Sequence, residues 1–198
     1  MKICVFGSSS EIINKRYLDA AYHLGEALAE KGHTLVFGAG KYGVMGATAR
    51  GVSSKNGNII GVTPDFFVDM NVVYDKCTET IITKTMRERK GIMEDKADAF
   101  VICPGGIGTF EEFFEVLTLK QLNRHTKPIV IYNVNGFYNS MFDMLKNTVN
   151  EKFMKDKCQK LYTIATTEEE VFKQITEYEP YQYDKYDFLN EANIDRYA

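Results

Sequence analysis

The sequence has no tryptophan, four prolines and four cysteines, and the cysteines at 4, 77, 103 and 158 form no C-x-x-C pair. Such spacing predicts neither a zinc site nor a disulfide framework. No stretch approaches the ~18 apolar residues of a membrane span. The apolar run near the start, at 3–6, is too short for a signal peptide. We therefore expect a cytoplasmic protein that does not associate with membranes.

Strong charge of either sign is also lacking. The formal net charge is −3 and the basic residues are scattered, so a nucleic-acid polymer is not an expected partner. The three histidines, at 23, 33 and 125, share no metal-ligand spacing, and no Walker A motif occurs. The sequence thus indicates neither a metal site nor ATP hydrolysis.

What the sequence does have is a regular alternation of strand-like and helix-like segments along its 198 residues. This alternation predicts right-handed β-α-β units and a single α/β domain, with a mostly parallel sheet covered by helices on both faces. Residues 65–83 fit the pattern least. The predicted strands lie at 2–6, 34–37, 58–62, 80–82, 99–103, 128–132 and 161–165, and the predicted helices at 16–31, 44–55, 85–96, from about 109, 138–150 and 168–178. The domain is expected to span 1–178, and 179–198 to form a tyrosine-rich, acidic extension that packs its tyrosines on the domain.

Glycine- or serine-rich turns follow three of the predicted strands, after residues 6, 37 and 103. In a parallel sheet such turns lie at the carboxyl ends of the strands, where ligands bind. The first turn, at 7–10, offers the hydroxyl of Ser8, although serines are also ordinary turn formers. We expect the three turns to converge on one crevice.

The second turn, GAGKYG at 38–43, matches the dinucleotide-binding pattern G-x-G-x-x-G between a strand and a helix. An NAD site would also need an acidic residue at the end of the next strand, and the nearest one, Asp65, lies past a proline. The glycines, Gly40 and Gly43 among them, therefore suit a tight turn as well as they suit phosphate or sugar contact.

The third turn, PGGIGTFEE at 104–112, is the most informative segment. Glycines between a strand and a helix let backbone N–H groups approach an anion, and the helix N-terminus adds positive partial charge, so phosphate is the expected guest. Thr109 and Glu112 also fit a capping box with Thr109 as N-cap, which alone would account for both residues. It would not account for the glycines, which cost conformational entropy unless the backbone approaches something closely.

Two adjacent cations, Arg89 and Lys90, are predicted on the helix before the strand at 99–103. From there a cation could meet phosphate, substrate hydroxyls or Glu112. Taken alone, a solvated helix face is the more ordinary interpretation.

The segments P-G-G-I-G-T-x-x-E at 104–112 and M-x-x-R-K-x-x-M at 86–93 together resemble the LOG (LONELY GUY) family of cytokinin riboside 5′-monophosphate phosphoribohydrolases, often labelled lysine decarboxylases. The similarity runs from about 3 to 178 and includes N-x-x-G-F-Y at 133–138. It implies a Rossmann-like fold and hydrolysis of the N-glycosidic bond of a nucleoside 5′-monophosphate, AMP or an N6-modified AMP, to the free base and ribose 5-phosphate. A homodimer with the site near its interface is also implied.

The resemblance further implies roles for individual residues. Arg89 and Glu112 match the catalytic positions. The predicted substrate-binding residues are Ser8, Gly40, Gly43, Lys90, Gly105, Gly106, Ile107, Gly108, Thr109, Glu111 and Thr118. Breaking the glycosidic bond builds positive charge on the ribose. A carboxylate beside C1′ would stabilise this charge or activate the attacking water. Arg89 stays protonated at neutral pH, so it would orient groups and stabilise charge, and this chemistry needs no metal or redox cofactor.

Two alternatives remain open at this point. A nucleotide-binding protein could sense or carry its ligand without chemistry, and a dinucleotide-dependent oxidoreductase would use the GAGKYG turn. Within the resemblance, Ala39, Ile107 and Phe110 replace residues that are frequent in the family. These departures bear on the preference for the base or its side chain more than on the reaction.

Overall fold

The computed structural model describes residues 1–181, and in this part of the chain seven strands form one sheet. The strands are β1 (Lys2–Phe6), β2 (Thr34–Phe37), β3 (Asn58–Pro64), β4 (Glu79–Thr83), β5 (Ala99–Ile102), β6 (Ile129–Tyr132) and β7 (Thr163–Ala165). The helices are α1 (Lys15–Glu30), α2 (Gly43–Ser54), α3 (Asp65–Asp69), α4 (Met86–Lys96), α5 (Ile107–Gln121), α6 (Asn139–Asn150) and α7 (Glu168–Thr176). Every strand pairing is parallel, in the order β4-β3-β2-β1-β5-β6-β7. The predicted single-domain α/β fold is confirmed.

Side chains alternate between the two faces of the sheet, and both faces are buried. In β1, Ile3 and Val5 join the core beneath α1, α2 and α7, whereas Cys4 and Phe6 join the core beneath α4, α5 and α6. Continuous apolar strands are expected where helices cover a parallel sheet on both sides. The result is a three-layer sandwich with two apolar cores.

The strand order reverses between β1 and β5, which are neighbours although 92 residues separate Phe6 from Ala99. At this point the backbone N–H of Ser8 donates to the carbonyl oxygen of Pro104 at 3.2 Å. Connections on the two sides of a reversal run in opposite directions and leave a crevice at the carboxyl ends of the strands. The turns after β1 and β5 therefore meet where a ligand site is expected.

Most predicted elements agree with the structure to within about two residues, but the prediction of Thr109 as the N-cap of α5 was wrong. This helix begins at Ile107, and its N-cap is Gly106, which makes no side-chain cap bond in the described chain. Thr109 therefore lies inside the first turn, and Glu112 contacts Arg89 instead of closing a capping box. Residues 65–83, predicted to be mostly irregular, contain α3 and a β4 that is two residues longer than expected.

The predicted extension falls almost entirely on 182–198, which lies outside the described residues. At the end of the described chain, Tyr181 packs against the core beneath α4, α5 and α6. None of the described helices combines the length and apolar composition that crossing a membrane requires.

Candidate active site

Arg89 lies in the first turn of α4, and its buried guanidinium reaches the carboxyl ends of β2 and β3. Nε donates to the carbonyl oxygen of Val62 at 3.1 Å, and Nη1 donates to Oε1 of Glu112 at 3.3 Å. A Cβ atom at Gly38, directly after β2, would lie 1.6 Å from Nη2 of Arg89. The guanidinium thus occupies the space that a side chain at Gly38 would need, a role that the G-x-G pattern did not reveal.

Two side-chain hydrogen bonds hold the start of α4, whose N-cap is Thr85. The Thr85 hydroxyl accepts from the N–H of Glu88 at 3.1 Å, and the Glu88 carboxylate accepts from the N–H of Lys84 at 2.8 Å. Side-chain caps of this kind satisfy backbone donors that the helix leaves unpaired. They fix the turn from which Arg89 projects.

Glu112, in the second turn of α5, is the acidic partner of Arg89, and its side chain is only 11% exposed. Burial raises its pKa to about 7, because the nearby positive charge of Arg89 offsets only part of the cost of desolvating the carboxylate. A carboxyl group with such a pKa can exchange a proton near neutrality. Perturbed carboxyl groups in a cleft are candidates for acid–base chemistry.

A cavity of about 350 Å³ opens beside this ion pair and brings most of the predicted site residues together. It is bounded by the turn after β1, by the start of α5 and by side chains from α2, α3 and α4. The lining residues are Gly7, Ser8, Ser9, Ser10, Met45, Phe67, Met86, Arg89, Gly106, Ile107, Gly108, Thr109, Glu111 and Glu112. Met45 and Phe67 were missed in the sequence, since nothing in their spacing distinguishes them from core residues. Met86 opens the M-x-x-R-K-x-x-M segment but was not predicted to line the site.

The start of α5 presents open backbone to the cavity. A Cβ atom at Gly106 or Gly108 would meet no other described atom within 4 Å, whereas one at Gly105 would collide with the Thr109 side chain. The first backbone N–H groups of a helix lack partners within the helix, and they carry its positive partial charge. This end of α5 is therefore suited to a phosphate.

A second cavity of about 230 Å³ adjoins the first on the side of β2 and β3. It shares Ser9, Met45, Phe67 and Arg89 with the first, and its remaining lining residues are Gly38, Ala39, Gly40, Tyr42, Thr63, Met70, Val72 and Val73. Arg89 thus stands between a glycine-rich cavity at α5 and a mainly apolar one at the turn after β2.

The N-x-x-G-F-Y segment supports the turn after β5. The Tyr138 hydroxyl donates to the carbonyl oxygen of Cys103 at 2.7 Å, and the Asn133 side chain accepts from the N–H of Tyr138 at 2.8 Å. Cys103 directly precedes the turn at 104–109, so these hydrogen bonds fix the start of that turn.

Five predicted binding residues lie away from the first cavity in the described structure. Gly40 borders the second cavity, Gly43 packs against the backbone of 8–10, and Gly105 borders a third cavity of about 250 Å³ with Tyr17 and Phe137. The other two are Lys90, which pairs with carboxylates of α5, and Thr118, which is exposed almost three turns along that helix from Gly108.

The strand order and the crevice at β1 and β5 define a Rossmann-like α/β protein, and comparison with known proteins narrows this class. Residues 45–175 match the family model described as possible lysine decarboxylase. The chain is 36% identical to cytokinin riboside 5′-monophosphate phosphoribohydrolase LOG2 of Arabidopsis thaliana over 179 residues, which are 90% of this chain and 84% of that protein. LOG7 of the same plant is also 36% identical, with 90% and 82% covered. The chain belongs to the LOG family, as the paired segments implied.

Solved structures confirm the fold from another direction. A molybdenum cofactor binding protein of Rippkaea orientalis superposes with a TM-score of 0.68 at 26% identity, covering 88% of this chain and 94% of the other. The Moco carrier protein of Chlamydomonas reinhardtii gives a TM-score of 0.66 at 23% identity, covering 88% and 97%. The latter likeness concerns the fold alone.

Proposed function

We propose that the protein hydrolyses the N-glycosidic bond of a nucleoside 5′-monophosphate, AMP or an N6-modified AMP, to the free base and ribose 5-phosphate. The observation that carries this proposal is the buried Arg89–Glu112 pair at 3.3 Å, which borders the same cavity as the open start of α5. The names of the relatives in Arabidopsis thaliana support the same reaction.

In this proposal the 5′-phosphate lies at the start of α5. The N–H groups of Ile107, Gly108 and Thr109 and the hydroxyl of Ser8 are its donors, and the helix dipole favours its negative charge. Binding the phosphate there holds the ribose next to Glu112, so that binding energy is used to orient the sugar. The base lies beyond Arg89, toward the second cavity.

The reaction breaks the bond between C1′ and the base nitrogen, and the electron pair leaves with the base. Positive charge develops on the ribose, and the Glu112 carboxylate stabilises it. Glu112 also accepts a proton from the water whose oxygen attacks C1′. The base nitrogen takes up a proton from solvent and Glu112 later returns its proton to solvent, so that the net reaction adds one water. Arg89 remains charged and holds Glu112 in place.

Purified protein should release adenine and ribose 5-phosphate from AMP, or the substituted base from isopentenyl-AMP, as followed by chromatography. Glu112→Gln should lower kcat by roughly 10²- to 10⁴-fold, the range of positioned proton transfer, while the chain remains folded. Glu177→Gln, the same change at an exposed position after α7, is the matched control. Unchanged nucleotide, bound tightly but recovered intact, would instead support the binding protein without chemistry.

We also propose a homodimer with the site near its interface and a cytoplasmic location. Apolar side chains around the cavity mouth are exposed, with Ile107 at 87% and Met86 at 39%, and a second copy would cover such a surface. In the described structure the cysteines at 4, 77 and 103 form no disulfide bond, which suits a reducing compartment. Sedimentation of the wild type and of Ile107→Asp tests the dimer, since a charge in the interface should shift it toward monomer.

A further inference from the structure

Beside the Arg89–Glu112 pair, the next residue of α4 makes a second set of ion pairs to the same helix. Lys90 Nζ contacts Oε1 of Glu111 and lies 2.6 Å from Oε2 of Glu115. The Lys90 side chain is only 13% exposed. Glu111 and Glu115 are one turn apart on α5, so a single ammonium group bridges both.

These contacts connect two helices that carry the two halves of the candidate site. Met93 of α4 and Phe113 of α5 pack into the same core, so the helices lie on the same face of the sheet. Consecutive residues of α4, Arg89 and Lys90, contact α5 at its consecutive residues 111 and 112. The separation of Arg89 from Glu112 therefore depends on how α4 sits against α5.

Lys90 itself lies outside the described lining of both cavities that contain Arg89. Its ammonium group is already engaged by two carboxylates, which leaves little charge for a ligand phosphate. We propose that Lys90 is a positioning residue, whose ion pairs with Glu111 and Glu115 hold α4 and α5 in the register that brings Arg89 to Glu112. Its effect on catalysis rests on the proposed function, whereas its effect on the ion pair does not.

The charges around Lys90 favour this role. Desolvation lowers the pKa of Lys90, but Glu111 and Glu115 outweigh it and the pKa is raised, so the group stays charged at neutral pH. Glu94, one turn further along α4, faces the same cluster, and burial together with the charge of Glu115 raises its pKa to about 7. Removing Lys90 would leave these carboxylates crowded and would push the two helices apart.

The test compares Lys90→Met, Lys90→Arg and Glu115→Gln with Lys96→Met, the matched control that removes a lysine paired with Glu79 at the other end of α4. Lys90→Met should lower kcat for AMP by about ten- to a hundredfold with KM changed less than about twofold. Glu115→Gln should act in the same direction more weakly. Lys90→Arg should restore most of kcat, and Lys96→Met should leave both constants unchanged.

The second readout needs no turnover: the Glu112 carboxyl is titrated by NMR with ¹³C-labelled glutamate. Electrostatics alone predicts that Glu115→Gln lowers the pKa of Glu112, because a negative charge is lost. Loss of register predicts the opposite, because Arg89 moves away from Glu112. A raised pKa supports the proposal, and a lowered or unchanged one overturns it.

A substrate contact by Lys90 would give a different kinetic result. Lys90→Met would then raise KM severalfold with kcat unchanged, Glu115→Gln would have no effect, and the positioning role would be refuted. If the wild type hydrolyses no nucleotide, the proposed function fails, but the Glu112 titration still decides the role of Lys90. Circular dichroism of each variant shows that the chain is folded.

Discussion

The turns after β2 and β5 both join a parallel strand to a helix and both are rich in glycine, but their glycines have different neighbours. At Gly38 the space of a side chain is filled by the guanidinium of Arg89, and at Gly43 by the backbone of residues 8–10. At Gly106 and Gly108 the described structure leaves that space open. At Gly38 and Gly43 the protein itself requires glycine, whereas at Gly106 and Gly108 a ligand is the remaining reason for it. Similar glycine patterns therefore serve opposite halves of one site.

The largest effect on this comparison is expected from Gly38→Ala. The new methyl group must displace Arg89, and a shift of about 1 Å in a catalytic group costs roughly 10²-fold in rate. We expect kcat for AMP to fall by that factor while KM changes little, measured by base release. The matched control is Gly91→Ala on α4, where a Cβ would meet no described atom within 4 Å. If Gly38→Ala keeps full activity, the first turn does not seat Arg89 and the comparison fails.

The pH dependence tests the charge that the two turns bring together. If Glu112 acts as a carboxylate with a pKa of about 7, kcat/KM should fall about tenfold for each pH unit below 7. Glu94 titrates in the same range, so Glu94→Gln is the control and should keep the acid limb. A profile that is flat from pH 5 to 8 would contradict the role of Glu112.

The same raised pKa also affects stability, but in the opposite direction: activity should rise with pH, whereas stability should fall. Folded Glu112 holds its proton up to a pH of about 7, but in the unfolded chain it loses the proton near 4.5. The folded state therefore binds more protons between these pH values, and stability falls as the pH rises through this window. Denaturant melts should show that Glu112→Gln removes this part of the pH dependence, while Glu177→Gln leaves it in place.

A smaller effect is expected from Gly108→Ala, which tests whether glycine at this position serves ligand binding. Alanine in the first turn of α5 should leave stability unchanged or raise it by up to ~1 kcal/mol. The methyl group should nevertheless obstruct the phosphate and raise KM for AMP severalfold. Thermal melting and steady-state kinetics are the two measurements. A destabilised variant with normal KM would mean that the protein, not a ligand, requires this glycine.

The smallest effect on activity is expected from Thr85→Ala. This variant removes the N-cap of α4 and tests whether the cap stabilises only the helix or also positions Arg89. Loss of the N-cap should cost about 1 kcal/mol in denaturant melts. Since Gly38, Val62 and Glu112 still hold the guanidinium, kcat well below the melting temperature should stay within about twofold of wild type. Thr167→Ala, which removes the cap of α7, should cost a similar amount. A much larger loss of activity in Thr85→Ala would show that the cap, more than Gly38, positions Arg89.

Much of the fold was predictable because it depends on local patterns. Short apolar runs placed the strands, and their parallel orientation follows from their alternation with helices. The paired segments of the family predicted one site that includes Arg89, Glu112, Gly106 and Gly108. The structure brings these residues to one cavity.

The remaining features depend on contacts between distant residues. Thr109 and Glu112 have the spacing of a capping box, but Arg89, 23 positions earlier, engages Glu112. Residues 65–78 have little periodicity of their own. They are held by pairing of Val73 with Gly40 and by the Tyr74 hydroxyl on Ser53. No local pattern in the sequence predicts such contacts.

The position of Arg89 also has a consequence for how the protein assembles. Its Nε bonds to a carbonyl 27 positions earlier in the chain, and its Nη1 bonds to a carboxylate 23 positions later. Neither bond can form within a short segment, because β3, α4 and α5 must all be in place. Contacts that close long loops are slow to form. During refolding, the helical signal should therefore return before enzymatic activity. Recovery of activity reports that these long-range contacts have formed.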